Sequence, residues 1–435
     1  MSPFDGPPTD GQRLVLTQAF DDAVAAAHPG QCLVPHLPPP PTGGRLVVLA
    51  AGKAAGSMAA VAERFYRGTH GLGPDRLTGL AVARHGYGDD TAIIEMVEAG
   101  HPVPDQAGID ATRRAMALAR EAGPDDLVLV LLSGGGSANW IAPAGALTLA
   151  EKQGITRALL RSGAAIGEIN TVRKHLSAIK GGRLARLAAP ARLLTLAISD
   201  VPHDDPAVIA SGPTVPDPST LEDARAIVTR RGIALPASAR ALLDDPESES
   251  PKPGDPAFAR AEYRIIAKPA DAIAAAAARV KAAGYEPILL GADLEGEARE
   301  VAAEQGRMAL ALKAEGRRAA ILSGGELTVT IAGGGRGGPN QEFALALAIA
   351  LDGAPGIAAL AADTDGTDGG GGAATDPAGA MVDPSTLSRA RARGLDAAAL
   401  LADNDSTRFF EELGDLVSPG PTRTNVNDCR IVLIG

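Results

Sequence analysis

The sequence predicts an α/β protein of two domains, with a mostly parallel sheet that carries helices on both faces. Three observations lead there. The chain has 435 residues, more than one hydrophobic core ordinarily serves. Short apolar runs alternate with longer helical stretches, the pattern of strand–helix–strand units. A polar, proline-studded stretch at Asp244–Ala261 (DDPESESPKPGDPAFARA) separates an earlier alternating series from a later one. The expected domains are residues 1–245 and 246–435, with the last strand able to return to either sheet.

Each element follows from its local pattern. An amphipathic helix is expected from Gln12 to Ala27, then a proline-rich passage, Val34–Thr42, that delivers the chain to a buried strand at Leu46–Ala50. Leu127–Leu132 reads as a strand followed by a glycine turn, with helical sequence from Thr148. Arg192–Ile198 reads as a strand that ends in a polar loop. The second series comprises Tyr263–Ala267, a helix at Asp271–Ala283, Pro287–Gly291 and a helix at Glu295–Lys313. It continues through Ala319–Leu322, Leu327–Ile331, a long helix after Asn340, a strand near Ile357–Ala362 and a closing strand at Arg430–Ile434.

Composition narrows the function. The chain is 45% hydrophobic and 21% charged, as globular proteins are. A net charge of −11 and only 3% aromatic residues argue against a nucleic-acid binder, which presents a basic field or stacking platforms. Two cysteines, Cys32 and Cys429, provide neither a disulfide framework nor a usual zinc cluster, which points to a reducing cytoplasm. No apolar run approaches the roughly 18 residues of a membrane span, and the first residues lack the pattern of a secretory signal.

Six segments could carry chemistry. Gly52-Lys53-Ala54-Ala55-Gly56-Ser57 follows a strand, where small residues and helix-opening amides favour an anion and Lys53 adds a charge. It is neither a P-loop nor the dinucleotide fingerprint, because Ala50 and Ala55 occupy two of the required glycine positions. The plainer alternative is a tight turn with a solvated lysine. Ser133-Gly134-Gly135-Gly136-Ser137 can bring backbone amides against an anion, or simply turn the chain. A weak echo, Ser323-Gly324-Gly325-Glu326, again places Ser-Gly-Gly at a strand end.

Between Val172 and Arg186 there are five Lys/Arg residues and no acid, which could focus a carboxylate or phosphate or could pair with acids elsewhere. Ser199-Asp200 closes a strand, so Asp200 is placed to take a hydroxyl proton or hold a metal; Asp204 and Asp205 could simply face solvent. Arg336 stands among five glycines, Gly333–Gly335 and Gly337–Gly338, as a planar cation on a loop able to move. A glycine-rich hairpin is the alternative. Asp363-Thr364-Asp365-Gly366-Thr367-Asp368 crowds three carboxylates, which magnesium would relieve. Asx-turn chemistry is the other reading.

In order, these segments resemble the class II glycerate kinases. The resemblance rests on GKA, GHPVPD, LSGGGSA, EIN-x-x-RKHLS-x-IKGG, SDVP, ASGPT, SGGE, GRGGPNQE and DTDGTDG, and runs from about Lys53 to Thr424-Asn425-Val426-Asn427-Asp428. It implies a Rossmann-like N-terminal kinase domain, a C-terminal MOFRL domain and an active site in the cleft between domains. The implied activity is transfer of the γ-phosphoryl group of ATP to the 2-hydroxyl of D-glycerate, with Mg²⁺. On this reading Lys53, Arg336 and Asp200 are catalytic. ATP lies near Ser133, Gly134, Gly135, Gly136 and Ser137, and near Gly324, Gly325, Glu326 and Asn340. Gly52, Arg173 and Lys174 bind the sugar acid, and Asp365 holds the metal with Asp363 and Asp368.

The implied partners are these small molecules, with no nucleic acid and no membrane, and a homodimer is one assembly to expect. Members of this family are often named hydroxypyruvate reductase. That makes a nicotinamide-dependent reductase the chief alternative, followed by a non-catalytic sensor of nucleotide or sugar acid. Two departures from the family pattern stand out: His203 occupies a position usually held by Gly, and Asn139-Trp140 replaces an apolar pair.

Overall fold

The computed structural model describes residues 10–369 and 373–435. Contacts divide the chain into two compact units. One holds Leu33–Ala197 and Asp204–Ile266; the other holds the N-terminal segment through Cys32, Ile198–His203 and Ala267–Gly435.

The first unit is built on six strands: β1 (Leu46–Ala51), β2 (Leu77–Arg84), β3 (Glu95–Ala99), β4 (Leu127–Leu132), β5 (Arg192–Ile198) and β6 (Ala261–Ala267). Their order is β3-β2-β1-β4-β5-β6, and the pairs from β3 through β5 are all parallel. The sequence LVVLAA of β1 is buried at every position, as expected for a central strand covered on both faces. Strands β2 and β3 fall outside the sequence expectation. The mixed residues of β3 (EMVEA) show why, since an edge strand need not be apolar throughout.

The second unit carries β7 (Glu286–Leu294), β8 (Ala319–Gly325), β9 (Ile357–Asp363), β10 (Gly379–Val382), β11 (Leu416–Val417) and β12 (Asp428–Ile434). Their order is β11-β10-β9-β12-β8-β7, and only β7–β8 is a parallel pair. The closing strand β12 is inserted between β8 and β9, so it stays with its own sheet. Leu327–Ile331 does not form the expected strand. Thr328 makes an isolated bridge to Glu297, the Glu297 carboxylate accepts from Thr330 N and Thr330 Oγ1, and Ile331 is exposed. Among the described residues no helix is long and apolar enough to cross a membrane.

The division differs from a cut after residue 245. Residues 246–266 remain with the parallel sheet because they lead into its edge strand β6. The N-terminal helix, Asp10–Ala27, belongs to the mixed-sheet unit, against which it buries Leu16, Ala19, Phe20, Ala23 and Ala27. Arg13 Nη2 donates to Asp383 Oδ2 at 2.7 Å and Asp415 Oδ1 at 2.6 Å, and both carboxylates are nearly inaccessible. Thr424 Oγ1 donates to the carbonyl of Ala27 at 2.7 Å. Removing Arg13 leaves two buried carboxylates short of a donor, although Arg389 still serves Asp415. Arg13→Ala is expected to cost about 1–3 kcal/mol, read from the urea midpoint; an unchanged midpoint would show that the helix is held by its apolar face alone.

Candidate active site

The order of the parallel sheet reverses between β1 and β4, the switch point at which open α/β sheets bind ligands beyond their carboxyl ends. The two strands end in register, Ala51 opposite Leu132, so their following loops start side by side. Ser133 Oγ accepts from Ala54 N at 2.9 Å, and Lys53 N donates to the Gly134 carbonyl at 2.7 Å. Gly52 is required here. Its φ is +123°, and a Cβ would lie 2.4 Å from Ser133 Oγ. Lys53 is half-buried, and its stem runs beside Gly135, which also faces the ring of His101.

The next residues draw in the basic segment. Ser137 Oγ accepts from Arg173 Nη2 at 3.2 Å and Lys180 Nζ at 2.6 Å, and lies 2.7 Å from Ser211 Oγ. Lys180 also donates to the Ser137 carbonyl at 2.6 Å. Burial, with Arg173 and Lys152 nearby, pulls the Lys180 ammonium well below its ordinary range, and burial lowers Arg173 too. The fold thus brings Gly52, Lys53, Ser133–Ser137 and Arg173 together. Lys174 does not join them. It is buried and paired with Asp217 at 3.4 Å, on a helix (Ile166–His175) whose phase turns it toward the core. Lys180 and Ser211 complete the group; the signals for them were the five-cation run and the Ala-Ser-Gly-Pro-Thr segment.

A second group lies within the mixed-sheet unit. Asp200 Oδ2 accepts from Asn425 Nδ2 at 2.8 Å, and the Asp200 carbonyl accepts from Asn427 Nδ2 at 2.7 Å. Because β9 and β12 pair with Asp363 opposite Asp428, the residues after β9 meet those before β12. Thr364 Oγ1 donates to the Asn427 carbonyl at 2.7 Å and accepts from Val426 N at 2.9 Å. Asn425 and Asn427 were visible in sequence only as part of the closing motif.

The three carboxylates of Asp363–Asp368 separate by task. Asp363 Oδ1 accepts from Asp365 N at 2.8 Å, and Asp365 Oδ1 accepts from Thr367 N at 2.7 Å: two successive Asx turns. Asp368 caps the helix Pro339–Leu351. Its Oδ1 accepts from Asn340 N and Nδ2, and its Oδ2 from Gln341 N and Nε2, at 2.9–3.2 Å. With four donors on two oxygens it does not fit a metal. Among the described residues no group of three or more His, Cys, Asp or Glu could hold one.

Other expectations are corrected by the same network. Asn340 is buried, and Nδ2 donates to Asp428 Oδ1 at 2.6 Å, so it braces the interior rather than facing a nucleotide. The Gly324 carbonyl accepts from the buried Arg430, which also reaches Ser323 Oγ. Gly324 and Gly325 are buried in β8, while Glu326 is exposed. The Arg336 loop is pinned rather than loose. Cβ atoms on Gly335 and Gly338 would lie 2.3 and 2.4 Å from Asp405 and Asp368 atoms, and Arg336 N donates to Asp405 Oδ1. Its guanidinium is exposed and pairs with Glu411 at 3.3 Å. His203 has φ +61°, the left-handed region that accounts for a glycine preference there.

Known proteins resemble this chain over most of its length. Residues 15–244 match a domain of unknown function, DUF4147, and residues 319–428 match the MOFRL family. The chain is 41% identical to D-glycerate 2-kinase of Thermotoga maritima, over 90% of this chain and 91% of that protein. The crystal structure of glycerate kinase from the same organism matches with a TM-score of 0.85 at 39% identity, covering 97% of this chain and 99% of that one.

The chain belongs to the glycerate kinase family. Within that family names differ: an Agrobacterium vitis relative, 51% identical over 97% of this chain and 94% of its own length, is called a putative hydroxypyruvate reductase.

The Asp368 cap has a measurable signature. Burial pushes its carboxyl up to about 7, with the Asp428 carboxylate adding to the rise and the N–H groups of Asn340 and Gln341 opposing it. An unfolded aspartate titrates near about 4. Between these values the folded chain keeps a proton that the unfolded chain has released, so this group lowers stability as pH climbs from about 4 to about 7. Asp368→Asn is expected to flatten that slope, measured by urea midpoints at about pH 5 and about pH 7.5. An unchanged slope would mean that Asp368 is ionised across the whole window.

Proposed function

We propose that this chain is a glycerate 2-kinase, transferring the γ-phosphoryl group of ATP to the 2-hydroxyl of D-glycerate. The observation that carries the reading is the cation-and-amide turn where β1 and β4 end, with Lys53 beside Gly135, in a chain similar over most of its length to a D-glycerate 2-kinase. Phosphoryl transfer asks little covalent help of a protein and much positioning and charge cancellation. The amides of Gly134 and Gly135 and the Lys53 ammonium suit the phosphates. Arg336 offers a second, exposed guanidinium whose backbone is pinned.

The acceptor side requires a base. The 2-hydroxyl oxygen attacks phosphorus, the bond to ADP breaks, and the hydroxyl proton passes to the Asp200 carboxylate, which Asn425 orients. When bound, magnesium neutralises charge on the phosphates. It needs only one or two protein carboxylates, and Asp365 and Asp363 are the residues that would hold it. Arg173 reads the carboxylate of the sugar acid.

The test is an assay with D-glycerate, ATP and Mg²⁺ in which NMR resolves 2-phosphoglycerate from 3-phosphoglycerate. 2-Phosphoglycerate is expected; 3-phosphoglycerate would overturn the assignment of the hydroxyl. Lys53→Ala and Asp200→Asn should each lower kcat by about a hundredfold to a thousandfold while the thermal melt is retained, and Arg336→Ala should lower it in the same direction. Near-normal turnover in one of these variants removes that residue from the mechanism. The name carried by the Agrobacterium vitis relative supports a second reading: rapid NADH oxidation with hydroxypyruvate, and no phosphoglycerate, would establish it in place of the kinase.

A further inference from the structure

The basic group around Ser137 is built from donors with no acid to receive them. Lys180 is 1% exposed and Arg173 half-buried, and among the described residues neither makes an ion pair with a carboxylate. Their neighbour Lys152 is buried as well, with Nζ donating to the carbonyls of Leu176 and Arg173 at 2.6 and 3.3 Å. By contrast Lys174, from the same run, has Asp217. Enclosing like charges without a counter-charge is costly unless an anion completes the arrangement.

Counting hydrogens shows where that anion belongs. Ser137 Oγ accepts from Arg173 and from Lys180, which uses both of its lone pairs. Its own proton therefore goes to Ser211 Oγ, 2.7 Å away. The Ser211 proton is left to point onward. Lys180 spends two of its three N–H groups on Ser137, and Arg173 spends one of five. Every unspent group is a donor, which is complementary to an oxyanion. The backbone is strained to make this so: Ala210 and Ser211 both have left-handed φ, +50° and +61°, at a cost of order 1–3 kcal/mol each. The loop is held there by Gly181 N donating to the Ser211 carbonyl at 3.1 Å and Gly182 N donating to that of Gly212 at 2.8 Å.

We propose that Lys180, Arg173 and Ser211, organised around Ser137, form the receptor for the carboxylate of the sugar-acid substrate, with Lys180 the residue that sets its affinity. The inference rests on the kinase reading above and assigns the acid's recognition to Lys180 in place of Lys174. A planar carboxylate with two oxygens suits one guanidinium edge together with one ammonium. The bound anion would also favour the ammonium form of Lys180, which burial opposes.

The decisive variant is Lys180→Met, similar in length and without charge. The expected result is a KM for D-glycerate raised about tenfold to a hundredfold, a KM for ATP within about twofold, and a melting temperature equal to or above that of the wild type, because a buried cation without an acid has been removed. A residue with a purely structural role would instead lower the melting temperature and leave both KM values alone, overturning the proposal. A rise in the KM for ATP alone would assign the oxyanion to the nucleotide phosphates, which also overturns it. If Lys180→Met does not fold, Arg173→Met takes its place: a raised KM for D-glycerate alone supports the proposal, and an unchanged one overturns it. Wild-type protein that makes no phosphoglycerate refutes the kinase reading itself; active wild type with unchanged KM in the variants refutes this inference alone.

Discussion

The parallel pairing of β1 with β4 is the constraint on which the candidate site depends. Both strands end at the same level, Ala51 opposite Leu132, and the sheet continues from them in opposite directions. Two loops must therefore leave one edge side by side. Their separation is set by ladder hydrogen bonds and then fixed by two more, Ser133 Oγ to Ala54 N and the Gly134 carbonyl to Lys53 N. That stitch gives Lys53 its place, brings Gly135 against His101, and directs Ser137 to Arg173 and Lys180. A side chain at position 52 would break it, because the space is already filled by Ser133.

The mixed-sheet unit solves a different problem. Its last strand, β12, lies between β8 and β9, so the sheet is incomplete until the final residues arrive. Its N-terminal helix comes from the other end of the chain and is fastened by Arg13 and Thr424. Contacts this distant in sequence carry an entropic cost of closure and slow folding. The same insertion has a functional consequence, since it brings Asn425 and Asn427 to the loop after β9 and to Asp200.

Residue types were easier to read than their assignments. Three aspartates in six residues suggest a metal when seen as a string. In the folded chain they are spread over two Asx turns and a cap on the helix that begins near Pro339. Spacing along the chain says that carboxylates are crowded; it says nothing of the amides waiting for Asp368 28 residues upstream at Asn340. The glycines around Arg336 likewise suggested mobility, whereas at Gly333, Gly335 and Gly338 the atoms of Asp403, Asp405 and Asp368 leave no room for a Cβ.

By itself the sequence determined the α/β class, most central strands and the order of the loops that carry chemistry. Those follow from apolar runs, turn residues and local hydrogen bonding, which act within a few positions of the chain. Only the tertiary structure decided which cation of the Arg173–Lys180 run reaches Ser137 and which is spent on Asp217. It also decided that the first helix belongs with the last strand's sheet. Both outcomes depend on partners tens to hundreds of residues away, and a side chain's role is set by the charge and donors that surround it after folding, which the local pattern does not contain.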